Sequence, residues 1–163
     1  MDQMVRPASV GRQENREPRE GDPLRLWLRL FATANLVEAE LARRLRAEFG
    51  TTLPRFDLMA QLAKADAPLA LGEISRRLMV TNGNVTGLVD RLVEDGLVER
   101  RTAPDDRRSS VVSFTPAGRE RFDEMAKAHR GWVSELFGGL GEAERADLST
   151  LLSAARRSVQ DNS

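Results

Sequence analysis

The chain has 163 residues with 25 basic and 25 acidic side chains, enough for one domain with a real core and too few for two ordinary ones. Zero net charge removes any global attraction to nucleic acid or anionic lipid, so a basic surface has to be local. The lack of cysteine excludes a disulfide framework, a thiolate zinc site and a thiol redox switch; with no signal-like stretch and no apolar run near about 18 residues, a soluble cytoplasmic protein outside any membrane is expected.

Residues 1–21 hold almost no large apolar side chains among their Pro, Gly, Arg and Glu, and read as a disordered arm. Asp22-Pro23 supplies an N-cap followed by proline at the first helical position. Leu24, Trp27, Leu28, Phe31, Ala34, Val37, Leu41 and Leu45 then recur at helical spacing up to Phe49-Gly50, predicting a long helix with one apolar face. A second helix opens at Pro54 and stops at Ala67-Pro68, and a short third runs from Gly72 to Met79. Val80-Thr81 is a tight turn, with Thr81 as N-cap of a fourth helix over 82–95 that Gly96 ends in the left-handed conformation. Two helices joined so tightly are a helix-turn-helix by pattern. After Gly96 the period changes to 2. "LVERR" and "SVVSF" flank a loop containing Pro104 and Asp105, which predicts a hairpin. Thr115-Pro116 repeats the cap-plus-proline device and starts a fifth helix, with Phe122, Met125, Ala126, His129, Val133 and Leu136 on one face until Gly138-Gly139. Leu148, Leu151, Leu152, Ala155 and Val159 mark a sixth. The predicted fold class is mainly α with a small β-hairpin wing (α+β).

A hairpin that directly follows the second helix of a helix-turn-helix lies beside the DNA backbone or minor groove when that helix enters the major groove. Arg100, Arg101, Arg107 and Arg108 surround this loop, and an arginine at such a tip can enter a narrow minor groove. From Gly72 to Arg108 seven basic residues face seven acidic ones, so placement, not net charge, has to carry any DNA binding. On the fourth helix Val85, Leu88, Val89 and Leu92 share the core side, while Gly83, Gly87, Asp90 and Glu94 face outward, flanked by Thr86 and Arg91. The outward acids argue against phosphate contact, but the first two turns carry none. Thr81, Asn82, Gly83, Asn84, Thr86 and Gly87 are small, hydroxyl- or amide-bearing, and asparagine can read the N6/N7 edge of adenine. The N-terminal half, with its positive dipole end, is therefore the half that enters the groove. Gly83 and Gly87 serve close backbone approach to DNA or are merely tolerated. Asp90 is offset if a wing arginine folds back onto it.

"LVDRL", "DGLVER", "DDRRS" and "FTPAG", within residues 72–118, resemble the MarR (multiple antibiotic resistance regulator) family of winged-helix transcriptional regulators, and the flanking helices extend the likeness over about residues 24–160. The resemblance implies one domain over 22–163, with dimerisation helices at 22–50 and 116–160 and a winged helix-turn-helix lobe at 53–115. It implies a homodimer on a near-palindromic double-stranded DNA operator, acting as a ligand-responsive repressor, with helix 82–95 in the major groove and wing 102–109 at the minor groove. By the same resemblance Asn84, Thr86 and Arg91 contact bases and phosphates, Asp106 braces the wing, Arg108 enters the minor groove and Arg107 holds the backbone beside it. Gly87 departs from the family, where many relatives carry a long polar or basic residue.

The family's effector site implies a cleft lined by Trp27, Phe31, Arg55, Phe56, Met59 and His129, suited to a small aromatic or anionic effector such as an aromatic acid or its CoA thioester. The other reading makes the aromatics core, Arg55 a solvated residue and His129 a satisfied core or interface histidine. No cofactor or metal is expected. One histidine, no cysteine and no tyrosine leave few players for acid-base or nucleophilic catalysis, so an enzyme is not expected. The remaining alternative is a winged-helix adaptor that binds protein without sequence-specific DNA binding.

Overall fold

The structure, a computed structural model, describes residues 21–65, 67–79, 81–102 and 110–162. The expected N-terminal arm and the wing tip, with Asp106, Arg107 and Arg108, lie outside the described residues. The chain divides into two compact units, Met1–Leu36 and Val37–Ser163.

The elements are α1 (Pro23–Phe49), α2 (Leu53–Ala65), β1 (Leu69–Ala70), α3 (Leu71–Leu78), α4 (Asn82–Glu94), β2 (Val98–Thr102), β3 (Ser110–Phe114), α5 (Pro116–Leu136) and α6 (Glu142–Asp161). Asp22 caps α1 as its sequence suggests, its carboxylate accepting the Leu24 amide at 2.8 Å. In the first unit the described part of α1 leaves Leu24, Leu26, Trp27, Leu28, Leu30, Phe31 and Leu36 exposed.

The core of the second unit is built from Leu41 and Leu45 of α1, Phe56, Leu58, Met59 and Leu62 of α2, Ile74 of α3, Val85, Val89 and Leu92 of α4, Val98 and Val112 of the sheet, and Phe122, Met125 and Trp132 of α5. The hairpin pairs β2 with β3 antiparallel, from Val98 opposite Phe114 to Thr102 opposite Ser110. A third strand, unforeseen from the sequence, completes the sheet in the order β1-β3-β2, with Leu69 opposite Val112 and Ala70 opposite Val111. Two residues cannot display a period, and this strand exists only because β3 offers its second edge. Helix α6 starts at Glu142, well before its first large apolar residue; the Gly141 amide donates to Glu144 at 2.7 Å, and Glu142 and Glu144 sit in the first turn where the helix dipole favours acids. Among the described residues no helix is long and apolar enough to cross a membrane.

Candidate nucleic-acid interface

Helix α3 is closed by Met79, whose left-handed backbone (φ 55°) turns the chain. Thr81 then occupies the N-cap position of α4 in extended conformation, its carbonyl accepting from the Asn84 and Val85 amides at 3.1 and 3.2 Å. Its side chain makes no capping hydrogen bond, so the hydroxyl that the sequence assigned to the helix start is not spent there. The other end closes as a Schellman motif: the Gly96 amide donates to Val93 and the Leu97 amide to Leu92, both at 2.9 Å, with Gly96 at φ +69°.

Between these ends the apolar period dictates orientation. Val85, Val89 and Leu92 are wholly buried, which turns Gly83, Asn84, Gly87, Asp90, Arg91 and Glu94 outward and leaves Thr86 half-buried. Both glycines face open space. The N-terminal half of α4 therefore presents a low, acid-free surface.

Two acids toward the other end, Asp90 and the cap residue Asp95, are held by arginines from other elements. Arg100 on β2 places its guanidinium 3.6 Å from the Asp90 carboxylate, which is the fold-back contact the sequence anticipated. Asp95, the C-cap residue of α4, is paired with Arg55 from the first turn of α2. Sequence reasoning missed this pair because its members are 40 residues apart and obey no local spacing rule. On β2, Arg101 pairs with Glu99 at 2.8 Å, and Ser113 across the ladder donates to the same carboxylate at 3.1 Å. On α3, Arg77 binds Glu73 at 2.8 Å and Arg76 pairs with it as well; the Arg77 hydrogen bond is the main cause that lowers the Glu73 pKa. Apart from Arg55–Asp95, these pairs lie toward the surface and add little stability individually, but they set where positive charge sits.

Trp27 and Phe31, in the first unit, stack on each other at 5.5 Å and are more than half exposed. In the second unit Phe56 and Met59 are core residues, and His129 lies on the Phe56 ring at 4.8 Å, where burial lowers its pKa. Arg55 is occupied by Asp95, and its buried Nε has no hydrogen-bond partner among the described residues. Arg55, Phe56, Met59 and His129 are thus engaged by neighbours within the second unit.

Residues 49–109 match the model of the MarR family. The chain is 32% identical over 127 residues to the uncharacterized HTH-type transcriptional regulator YkoM of Bacillus subtilis, covering 78% of this chain and 82% of that protein. Among solved structures it is similar to a MarR family transcriptional regulator from Silicibacter pomeroyi, at 34% identity and TM-score 0.73 over 85% of this chain and 96% of the other. It is also similar to a point mutant of MarR from E. coli complexed with operator DNA, at 25% identity and TM-score 0.69 over 82% and 98% of the two chains.

Proposed function

The chain belongs to the MarR family of transcriptional regulators, and from that premise we propose that it works as a homodimeric, ligand-responsive repressor that reads a near-palindromic operator with α4 in the major groove and the 102–109 wing at the minor groove. The observation that carries this reading is the division of α4. Its apolar side is locked into the lobe by Val85, Val89 and Leu92, its outward N-terminal half is free of acid, and toward its other end Asp90 and the cap residue Asp95 are paired with arginines. The reading surface comprises Thr81, Asn82, Gly83, Asn84, Thr86 and Gly87, with Arg91 directed to phosphate, while Arg107 and Arg108 serve the wing. Asp90, through Arg100, and Asp106 brace that wing.

Homodimerisation is supported by the apolar side chains left uncovered on α1 and α6. A symmetric dimer matches a two-fold operator, with half-sites about one helical turn apart. The effector belongs to the class of small aromatic acids or their CoA thioesters, held in the second unit near Phe56, Met59, His129 and Arg55. An ion-paired arginine suits an anionic ligand, which would offer the guanidinium a competing carboxylate.

The test is selection of bound duplexes from a random DNA pool at about 100 mM salt, with Arg108→Ala in parallel. We expect an enriched inverted repeat, bound by Arg108→Ala about 1–3 kcal/mol more weakly, with operator affinity falling by orders of magnitude between about 50 and 200 mM salt. A folded dimer that enriches no sequence and shows no salt dependence would replace this reading with the protein adaptor.

A further inference from the structure

The Arg55–Asp95 pair is hard to explain from either helix alone. Arg55 is in the first turn of α2, the positive end of that helix's dipole, and Asp95 caps the negative end of α4. Each charge sits where its own helix disfavours it. Each becomes favourable only through the other, which neutralises both misplaced charges at the point where α2 meets the end of α4.

The pair is also poorly designed for stability. The Arg55 side chain is only 15% exposed, and its Nε is buried without an acceptor among the described residues, whereas Asp95 is half exposed and keeps much of its hydration. A buried donor left unsatisfied is a penalty that an apolar side chain of similar volume would not incur. What the pair does supply is geometry. Asp95 is followed by Gly96, where the chain leaves α4 for the wing strand β2, so one contact holds the junction of both DNA-facing elements. From Asp95 to Asn84 the helix spans roughly 16 Å at 1.5 Å per residue, so a tilt of about 10° at the C-terminal end displaces the reading residues by about 3 Å. That exceeds the tolerance of a hydrogen bond to a base edge.

We propose that Arg55 is a positioning residue for operator recognition, fixing the angle of α4 and the departure of the wing through Asp95. It touches no DNA itself. The inference rests on the operator-binding reading above, and it assigns to α2 a part in sequence specificity that belongs to neither the recognition helix nor the wing.

The experiment measures affinity by fluorescence anisotropy for the selected operator and for a random duplex, with thermal midpoints alongside, for the full-length wild type, Arg55→Met, Asp95→Asn, the double variant and Arg55→Lys. We expect each of Arg55→Met and Asp95→Asn to weaken operator binding tenfold or more while random-duplex affinity and the thermal midpoint stay near wild type. The double variant should be no worse than either single, and Arg55→Lys, which keeps the charge but not the fork, should fall between Arg55→Met and wild type. Operator affinity unchanged in both singles, losses that multiply in the double, or equal loss on operator and random duplex would each overturn the proposal. A drop in midpoint with an unchanged operator-to-random ratio would also overturn it, since that is what a purely structural pair does. A wild type that shows no operator preference would overturn the DNA-reading premise instead, and this proposal with it.

Discussion

Gly118 has no room for a side chain: a Cβ built there overlaps the Leu97 carbonyl. The neighbouring bonds explain why. The Thr115 amide donates to the Leu97 carbonyl at 3.2 Å, and its hydroxyl donates to the Gly96 carbonyl at 2.7 Å and accepts the Gly118 amide at 3.0 Å. The first turn of α5 thus lies directly on the backbone that links the recognition helix to the wing. Gly118→Ala has to push backbone against backbone, so we expect a loss of about 3 kcal/mol or more, read as a lower urea midpoint at unchanged slope; an unchanged midpoint would show that the turn can yield. His129 gives a second prediction. Burial on the Phe56 side lowers its pKa from the ordinary 6.5, so the unfolded chain binds the proton more readily. Its contribution to stability is full above the unfolded value and is lost as pH falls through the lower folded one. Stability should therefore decline more steeply on acidification in the wild type than in His129→Gln. Parallel curves for the two proteins would refute the depressed pKa.

At the scale of the element, α4 is a helix weakened on purpose or by indifference, and the two can be separated. Gly83 and Gly87 are exposed with open space where a methyl would go, so alanine at either should stabilise the fold by up to about 1 kcal/mol. If the bare backbone serves close approach to a base pair or phosphate, Gly87→Ala will raise the thermal midpoint and weaken operator binding together; undiminished affinity would mean the glycine is only tolerated. The orientation of this helix was legible in the sequence because Val85, Val89 and Leu92 obey a 3.6-residue period that burial enforces. The hairpin was legible for the matching reason at period 2. What stayed hidden depended on partners distant in the chain: β1 pairs with residues more than 40 positions away, and Asp95 finds its cation on α2. The two outward acids Asp90 and Glu94 looked adverse to DNA, and the sequence could name a wing arginine for Asp90 without choosing among the four; the strand register places Arg100 there. The onset of α6 was obscured because its first turn holds acids and alanine, a polar start that apolar spacing does not register.

At the scale of the whole molecule, apolar surface is left without cover. No residue of α6 is buried in the single chain, and Leu148, Leu151, Leu152 and Val159 are 38%, 67%, 42% and 66% exposed. Between α5 and α6 an open groove of about 720 Å³ is lined by Val133, Phe137, Leu148 and Leu152, with Arg145 and Arg156 among the polar residues around it. A leucine fully withdrawn from water contributes about 1.5–3 kcal/mol, so a handful of such residues meeting their symmetry mates can hold two chains together. We expect sedimentation to give twice the 18.1 kDa chain mass, and the thermal midpoint to rise with protein concentration, as it does when folding and association are linked. Leu151→Arg is the discriminating change, because a side chain already exposed costs the isolated subunit little when it is replaced, yet a guanidinium at a self-complementary interface meets its own copy. The variant should sediment as a folded single chain and lose operator affinity far more than any one contact explains, since two tethered half-site contacts become two independent ones. If Leu151→Arg remains dimeric and binds the operator as tightly as wild type, α6 is not the interface, and its apolar stripe faces a different partner.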